Sequence, residues 1–134
     1  MSKILDRILE VKRAEVAAAK EEISLAELQG RIKDLPKCRN FYRALTRKKT
    51  RGINVVTEIK RASPSAGTIR EDFDPVELAE VYARCGADAV SVLTDEQFFQ
   101  GHLDYIRQVK EAVSLPVSEM EGIWRGAIRA LMEQ

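Results

Sequence analysis

After Gly52, short β-branched runs alternate with amphipathic helical stretches, and this alternation restricts the possible folds more than any other feature of the chain. Residues 54–60, NVVTEIK, are rich in β-branched side chains and predict a strand. Asp74, Pro75 and Glu77 then mark a helix start, with an N-cap acceptor, a proline at the first helical position and a capping-box carboxylate. The helix VELAEVYARC ends at Gly86, a residue suited to the left-handed C′ position. DAVSVL, residues 88–93, predicts a second strand. Leu103, Ile106, Val109 and Val113 mark a further helix closed by Leu115-Pro116, and Pro116-Val117 leads into a third strand. Strands joined through helices pair most economically in parallel, so the expected class is α/β.

The segment before Gly52 reads differently. Ile4, Ile8 and Val11 with Leu5 and Leu9 form an apolar stripe over residues 3–22, and AEVAAAK has high helix propensity. Ser24 and Glu27 form a capping box for a second helix that ends before Pro36. Phe41, Tyr42 and Leu45 suggest a short apolar turn or a third helix. The expected division is a helical extension at 1–52, β/α units and the start of a third strand at 53–117, and a divergent helical tail at 118–134. All three belong to one structural domain.

Composition excludes several function classes. The 134 residues, 45% hydrophobic and 32% charged, suit a globular domain with a real core. Lys and Arg number 22 against 21 Asp and Glu, so no global field recruits nucleic acid or an anionic membrane. No apolar run approaches the length of a membrane span, and Met1-Ser2-Lys3 leads into a charged helix instead of a signal peptide. Cys38 and Cys85 lie far apart, outside any CxxC or Cys/His spacing, which predicts reduced thiols in a cytoplasmic protein. His102 is the only histidine, so a Ser-His-Asp triad or a histidine-based zinc site would depend on it alone. The basic stretch TRKKTRG, residues 46–52, reads as a solvated loop more readily than as an anion or nucleic-acid patch, because it lacks interleaved aromatics.

The first strand carries the chemistry. Side chains alternate between faces, so Val56, Glu58 and Lys60 share one side. A parallel strand is covered on both faces, and charges at its C-terminal end lie where α/β folds bind substrate. A carboxylate and an ammonium two residues apart can bind an anionic substrate and exchange protons with it. They can equally form a plain ion pair at a strand end, and the pattern leaves both readings open. Phe98 and Phe99 after the second strand are core residues or, for one of them, an apolar wall for an aromatic substrate.

The run from Val55 to Val117 resembles the first two β/α units of indole-3-glycerol phosphate synthase. The resemblance rests on EIKRASPS, IREDFDP, SVLTDEQFFQG and EAVSLPV. ILDRILEVKRAEVAAAK through LPKCRNFYRAL is similar to the helical extension that this family carries before its barrel. The resemblance implies a partial (β/α)8 TIM barrel, with the helical extension followed by two to three parallel β/α units. It also implies ring closure of 1-(2-carboxyphenylamino)-1-deoxyribulose 5-phosphate, with loss of carbon dioxide and water, in tryptophan biosynthesis. The substrate is an anionic, phosphorylated, anthranilate-derived small molecule, and no metal or organic cofactor is required. The family's first-strand glutamate falls on Glu58, its substrate-binding lysine on Lys60, its signature serine on Ser63 and its aromatic pocket wall on Phe99.

Beyond Val117 the sequence departs from the family. SEMEGIWRGAIRALMEQ stands where the family has a Leu-Arg-Lys-Asp-Phe-like stretch, and no lysine follows Lys110. The general-acid lysine, the fifth-strand glutamate and the sixth-strand asparagine therefore have no counterpart. VSEMEGI resembles the family's seventh unit, which would make Glu119 and Gly122 remnants of a substrate-binding turn. A whole barrel takes ~250 residues. The expectation is thus a truncated chain, inactive or nearly so alone, that forms a homo-oligomer through exposed strand edges or complements another chain.

Overall fold

The computed structural model describes residues 3–33 and 35–119. The chain divides into two compact units, Met1–Lys37 and Cys38–Gln134. The first contains α1 (Lys3–Glu22) and α2 (Leu25–Lys33). Leu5, Ile8, Leu9 and Val16 recur at helical spacing and are the half-buried apolar positions of α1 together with Val11. At the start of α2, Ser24 Oγ accepts a hydrogen bond from the Glu27 amide at 3.2 Å, as a capping serine should.

The second unit begins with α3 (Phe41–Thr46), capped by Asn40, whose Oδ1 accepts from the Arg43 amide at 2.7 Å. There follow β1 (Val56–Ile59), a hairpin of β2 (Ala62–Ser63) and β3 (Gly67–Thr68), α4 (Pro75–Arg84), β4 (Ala89–Val92), α5 (Glu96–Phe99), α6 (Asp104–Ala112) and β5 (Val117–Glu119). Asp74 caps α4 by accepting from the amides of Val76 and Glu77, Pro75 occupies the first turn, and Gly86 follows the helix at φ +86°. These are the start and stop signals that the sequence carries.

Strands β1, β4 and β5 form one parallel sheet in the order β1-β4-β5. Glu58 is in register with Ser91 and Ser91 with Ser118, while Ile59 is in register with Val92. On one face Ile59, Val90 and Val92 pack with Ala79 of α4, Val109 of α6 and Val113, and Phe73, Tyr82, Tyr105 and Val117 surround them. Burial of this apolar layer supplies the main driving force for the unit. The alternation of strand side chains puts Glu58, Lys60 and Ser91 on the other face.

Over residues 3–117 the expected order of helices and strands is present, with additions; of the helical tail expected at 118–134, Ser118 and Glu119 belong to β5 and the rest lies outside the described residues. The β2–β3 hairpin and α5 are elements that the sequence pattern does not announce. TRKKTRG is not simply solvated: Arg47, Lys49 and Arg51 all form ion pairs with Asp88, whose side chain is fully buried. Arg47 reaches Asp88 Oδ1 at 3.0 Å, and the Val55 amide donates to Oδ2 at 2.9 Å. A carboxylate removed from water needs such partners, and they tie residues 47–55 to the entry of β4. Residues 38–52, grouped by sequence with the helical extension, accordingly fold within the second unit. Among the described residues no helix is long and apolar enough to cross a membrane.

Candidate active site

The candidate site starts from the C-terminal end of β1. Strand alternation sends Glu58 and Lys60 to the same side, and Lys60 Nζ lies 2.7 Å from Glu58 Oε1. Both side chains are about one-third exposed (32% and 35%), so the pair is neither sealed in the core nor free in solvent. A half-buried ammonium beside a carboxylate has three rotatable donors and is open to an incoming anion.

The chain leaves β1 into the small hairpin. Ser63 Oγ accepts from the Ala66 amide at 3.2 Å and lies 3.3 Å from Ser65 Oγ, so the SPSAG turn is held by its own hydroxyls. Gly67 adopts φ +67°, a left-handed conformation that lets the turn close into β3. The Arg61 carbonyl accepts from the amides of Ile69 and Arg70, which folds the outgoing loop back against the end of β1.

Phe99 ends α5, which packs against β2. Asp95 caps this short helix by accepting from the Phe98 amide, and the Gly101 amide returns to the Asp95 carbonyl at 2.7 Å. Phe98 and Phe99 are both half-buried. Gln100 Nε2 donates to Thr68 Oγ1 at 3.3 Å, linking the end of α5 to β3. The structure thus gathers the Glu58–Lys60 pair, the Ser63 turn and the Phe99 helix at the loops following β1 and β4. Glu119 lies in β5, with its backbone in register with Val92, and Gly122 lies outside the described residues.

Three participants in this neighbourhood are not singled out by sequence. Thr68 and Gln100 meet across 32 residues, a separation that no local pattern reports. Ser91 is 3% exposed and its Oγ has no hydrogen-bond partner among the described residues. Its signal was one hydroxyl in an otherwise apolar strand, legible only once the register with Glu58 is known.

A family model described as indole-3-glycerol phosphate synthase matches residues 5–125. An indole-3-glycerol phosphate synthase of Rhodopirellula baltica is 52% identical over 114 residues, covering 85% of this chain and 43% of that protein. Proteins of the same name from Chlorobium chlorochromatii and Aromatoleum aromaticum are each 51% identical, over 84% and 87% of this chain and 44% and 45% of their own lengths. The chain spans less than half the length of these curated relatives.

Proposed function

The chain belongs to the indole-3-glycerol phosphate synthase family, and from that premise we propose that the rim after β1 and β4 is part of this family's substrate site. The reaction is the decarboxylating ring closure of 1-(2-carboxyphenylamino)-1-deoxyribulose 5-phosphate, a carboxy-lyase step of tryptophan biosynthesis. Lys60 attracts the substrate's carboxylate or phosphate and helps to protonate a leaving oxygen. Glu58 orients that ammonium or accepts a proton, Ser63 contributes a hydrogen bond at the rim, and Phe99 forms an apolar wall for the anthranilate ring. The observation that carries this reading is the 2.7 Å Lys60–Glu58 pair at the end of the first parallel strand.

No lysine follows Lys110, so the family's third-strand general acid has no lysine counterpart. Loss of one general acid lowers a rate by about 10²–10⁴-fold. We therefore expect this chain to bind the substrate and turn it over far more slowly than a full-length relative. Calorimetry with the ribulose phosphate, paired with indole fluorescence for product, tests both parts. Binding that Lys60→Ala weakens supports the site, and absence of binding by the wild-type chain overturns it. Turnover at the rate of a relative overturns the expectation of low activity.

A second reading, a non-catalytic barrel fragment that self-associates or complements another chain, is favoured by Val56, a strand residue left 45% exposed. In both readings the setting is cytoplasmic, which the exposed free thiols of Cys38 and Cys85 support. Pairing of three TRKKTRG cations with Asp88 supports a function without nucleic acid.

A further inference from the structure

Strand β4 is buried along its whole length, and its one hydroxyl belongs to Ser91. Ala89, Val90 and Val92 are apolar, so an alanine at 91 would complete a uniform strand. Ser91 Oγ instead has no hydrogen-bond partner among the described residues, an arrangement that destabilises a folded chain and therefore calls for an explanation. Neighbouring strands lie about 4.8 Å apart, and residues in register on one face are side by side. The neighbour of Ser91 on β1 is Glu58.

Lys60 Nζ lies against Glu58 Oε1. If Lys60 serves an anionic ligand, as the proposed function requires, its ammonium must loosen from Glu58. The carboxylate would then remain two-thirds buried without its cation. A half-buried carboxylate without a donor is unfavourable, and a serine hydroxyl rotates freely to supply one.

We propose that Ser91 is a positioning residue for Glu58, its hydroxyl becoming the donor to the Glu58 carboxylate when Lys60 turns to an anionic ligand. Ser91 touches no substrate in this scheme. It holds Glu58 in place while Lys60 is engaged elsewhere. The inference rests on the reading of Lys60 as an anion-binding group, but its test uses no ligand.

Thermal melts of the full chain in a double-mutant cycle decide it. In the wild-type background Ser91→Ala should leave the melting temperature unchanged or raise it, because it removes an unpartnered hydroxyl. In a Lys60→Met background, which imitates departure of the ammonium, the same change should lower it by about 5 °C. Ser91→Thr, which keeps a hydroxyl, should avoid most of that loss. Adding Glu58→Gln to the Lys60→Met background should abolish it. Lys60→Gln serves in the same cycle should the methionine variant lack a cooperative transition. An equal effect of Ser91→Ala in both backgrounds would overturn the proposal and leave Ser91 as packing alone. Failure of the wild-type chain to bind the ribulose phosphate would remove the ligand reading of Lys60 without altering the cycle, so the two failures are separable.

Discussion

Asp88 carries a fully buried carboxylate at the entry of β4, and burial by itself would push its pKa up. Hydrogen bonds from Lys49, the Val55 amide and Arg47, with the charge of Arg51, outweigh burial and hold it well below its ordinary value of 3.8. Because the folded pKa is depressed, the stabilisation is fully present above about pH 4 and is lost as pH falls through the folded value. Asp88→Asn should lower the urea midpoint at neutral pH, and the gap to wild type should narrow only below about pH 4. A gap that stays constant into strong acid would remove this account. Gly101 offers a second single-residue test. A Cβ there would collide with the Leu93 carbonyl oxygen and stand 2.7 Å from the Thr94 carbonyl carbon. Both are backbone atoms that cannot rotate aside, so Gly101→Ala should cost about 1–3 kcal/mol in urea unfolding. An unchanged midpoint would show that the α5 loop yields. Neither role is visible in a linear reading. The partners of Asp88 lie 33 to 41 residues away, and the crowding at Gly101 comes from the backbone of Leu93 and Thr94, just past β4.

The end of α6 depends on one side chain from far upstream. Arg39 Nη1 donates to the carbonyls of Val113 at 2.6 Å and Leu115 at 2.9 Å, and Nη2 donates to Lys110 at 2.8 Å. Helix C-termini leave carbonyls without intrahelical donors and carry partial negative charge, so a planar guanidinium satisfies both needs at once. Arg39→Ala should cost about 2 kcal/mol. Arg39→Lys should recover less than half of that, because a single ammonium cannot span carbonyls of residues 110, 113 and 115. Equal stability of the lysine and wild-type chains in urea melts would show that charge alone matters. The helices themselves were legible for local reasons: Asp74-Pro75 and Gly86 bound α4, and Ser24 opens α2. The hairpin and α5 were not, since strands of two residues and a helix of four are too short to establish a period. In the candidate site, Glu58 and Lys60 could be paired from alternation alone. Ser63 follows Lys60 closely in the chain, whereas bringing Phe99 toward them depends on α5 packing against β2, a contact that spacing does not report.

At the scale of the whole molecule, the described sheet contains three parallel strands, whereas a closed barrel of this family's fold has eight. β4 has a neighbour on each side, but β1 and β5 each have only one among the described residues. Unpaired backbone donors and acceptors on such edges template pairing with another chain. The exposed Val56 adds apolar surface on β1, while the half-buried Glu58 and Lys60 discourage a dry contact over the rest of that face. These opposing terms favour association along a strand edge over face-to-face stacking. Light scattering over a micromolar concentration series should therefore show a dimer or larger species. Val55 and Ile59 present their carbonyls to β4, so by alternation the Val56 amide faces the open edge, and replacing Val56 with proline should shift the mass toward monomer by removing that donor. Proline also restricts the backbone of the residue before it, so circular dichroism of the variant must accompany the mass measurement. A retained native spectrum with reduced mass supports edge pairing. A compact wild-type monomer across the whole series would show that β1 and β5 need no partner.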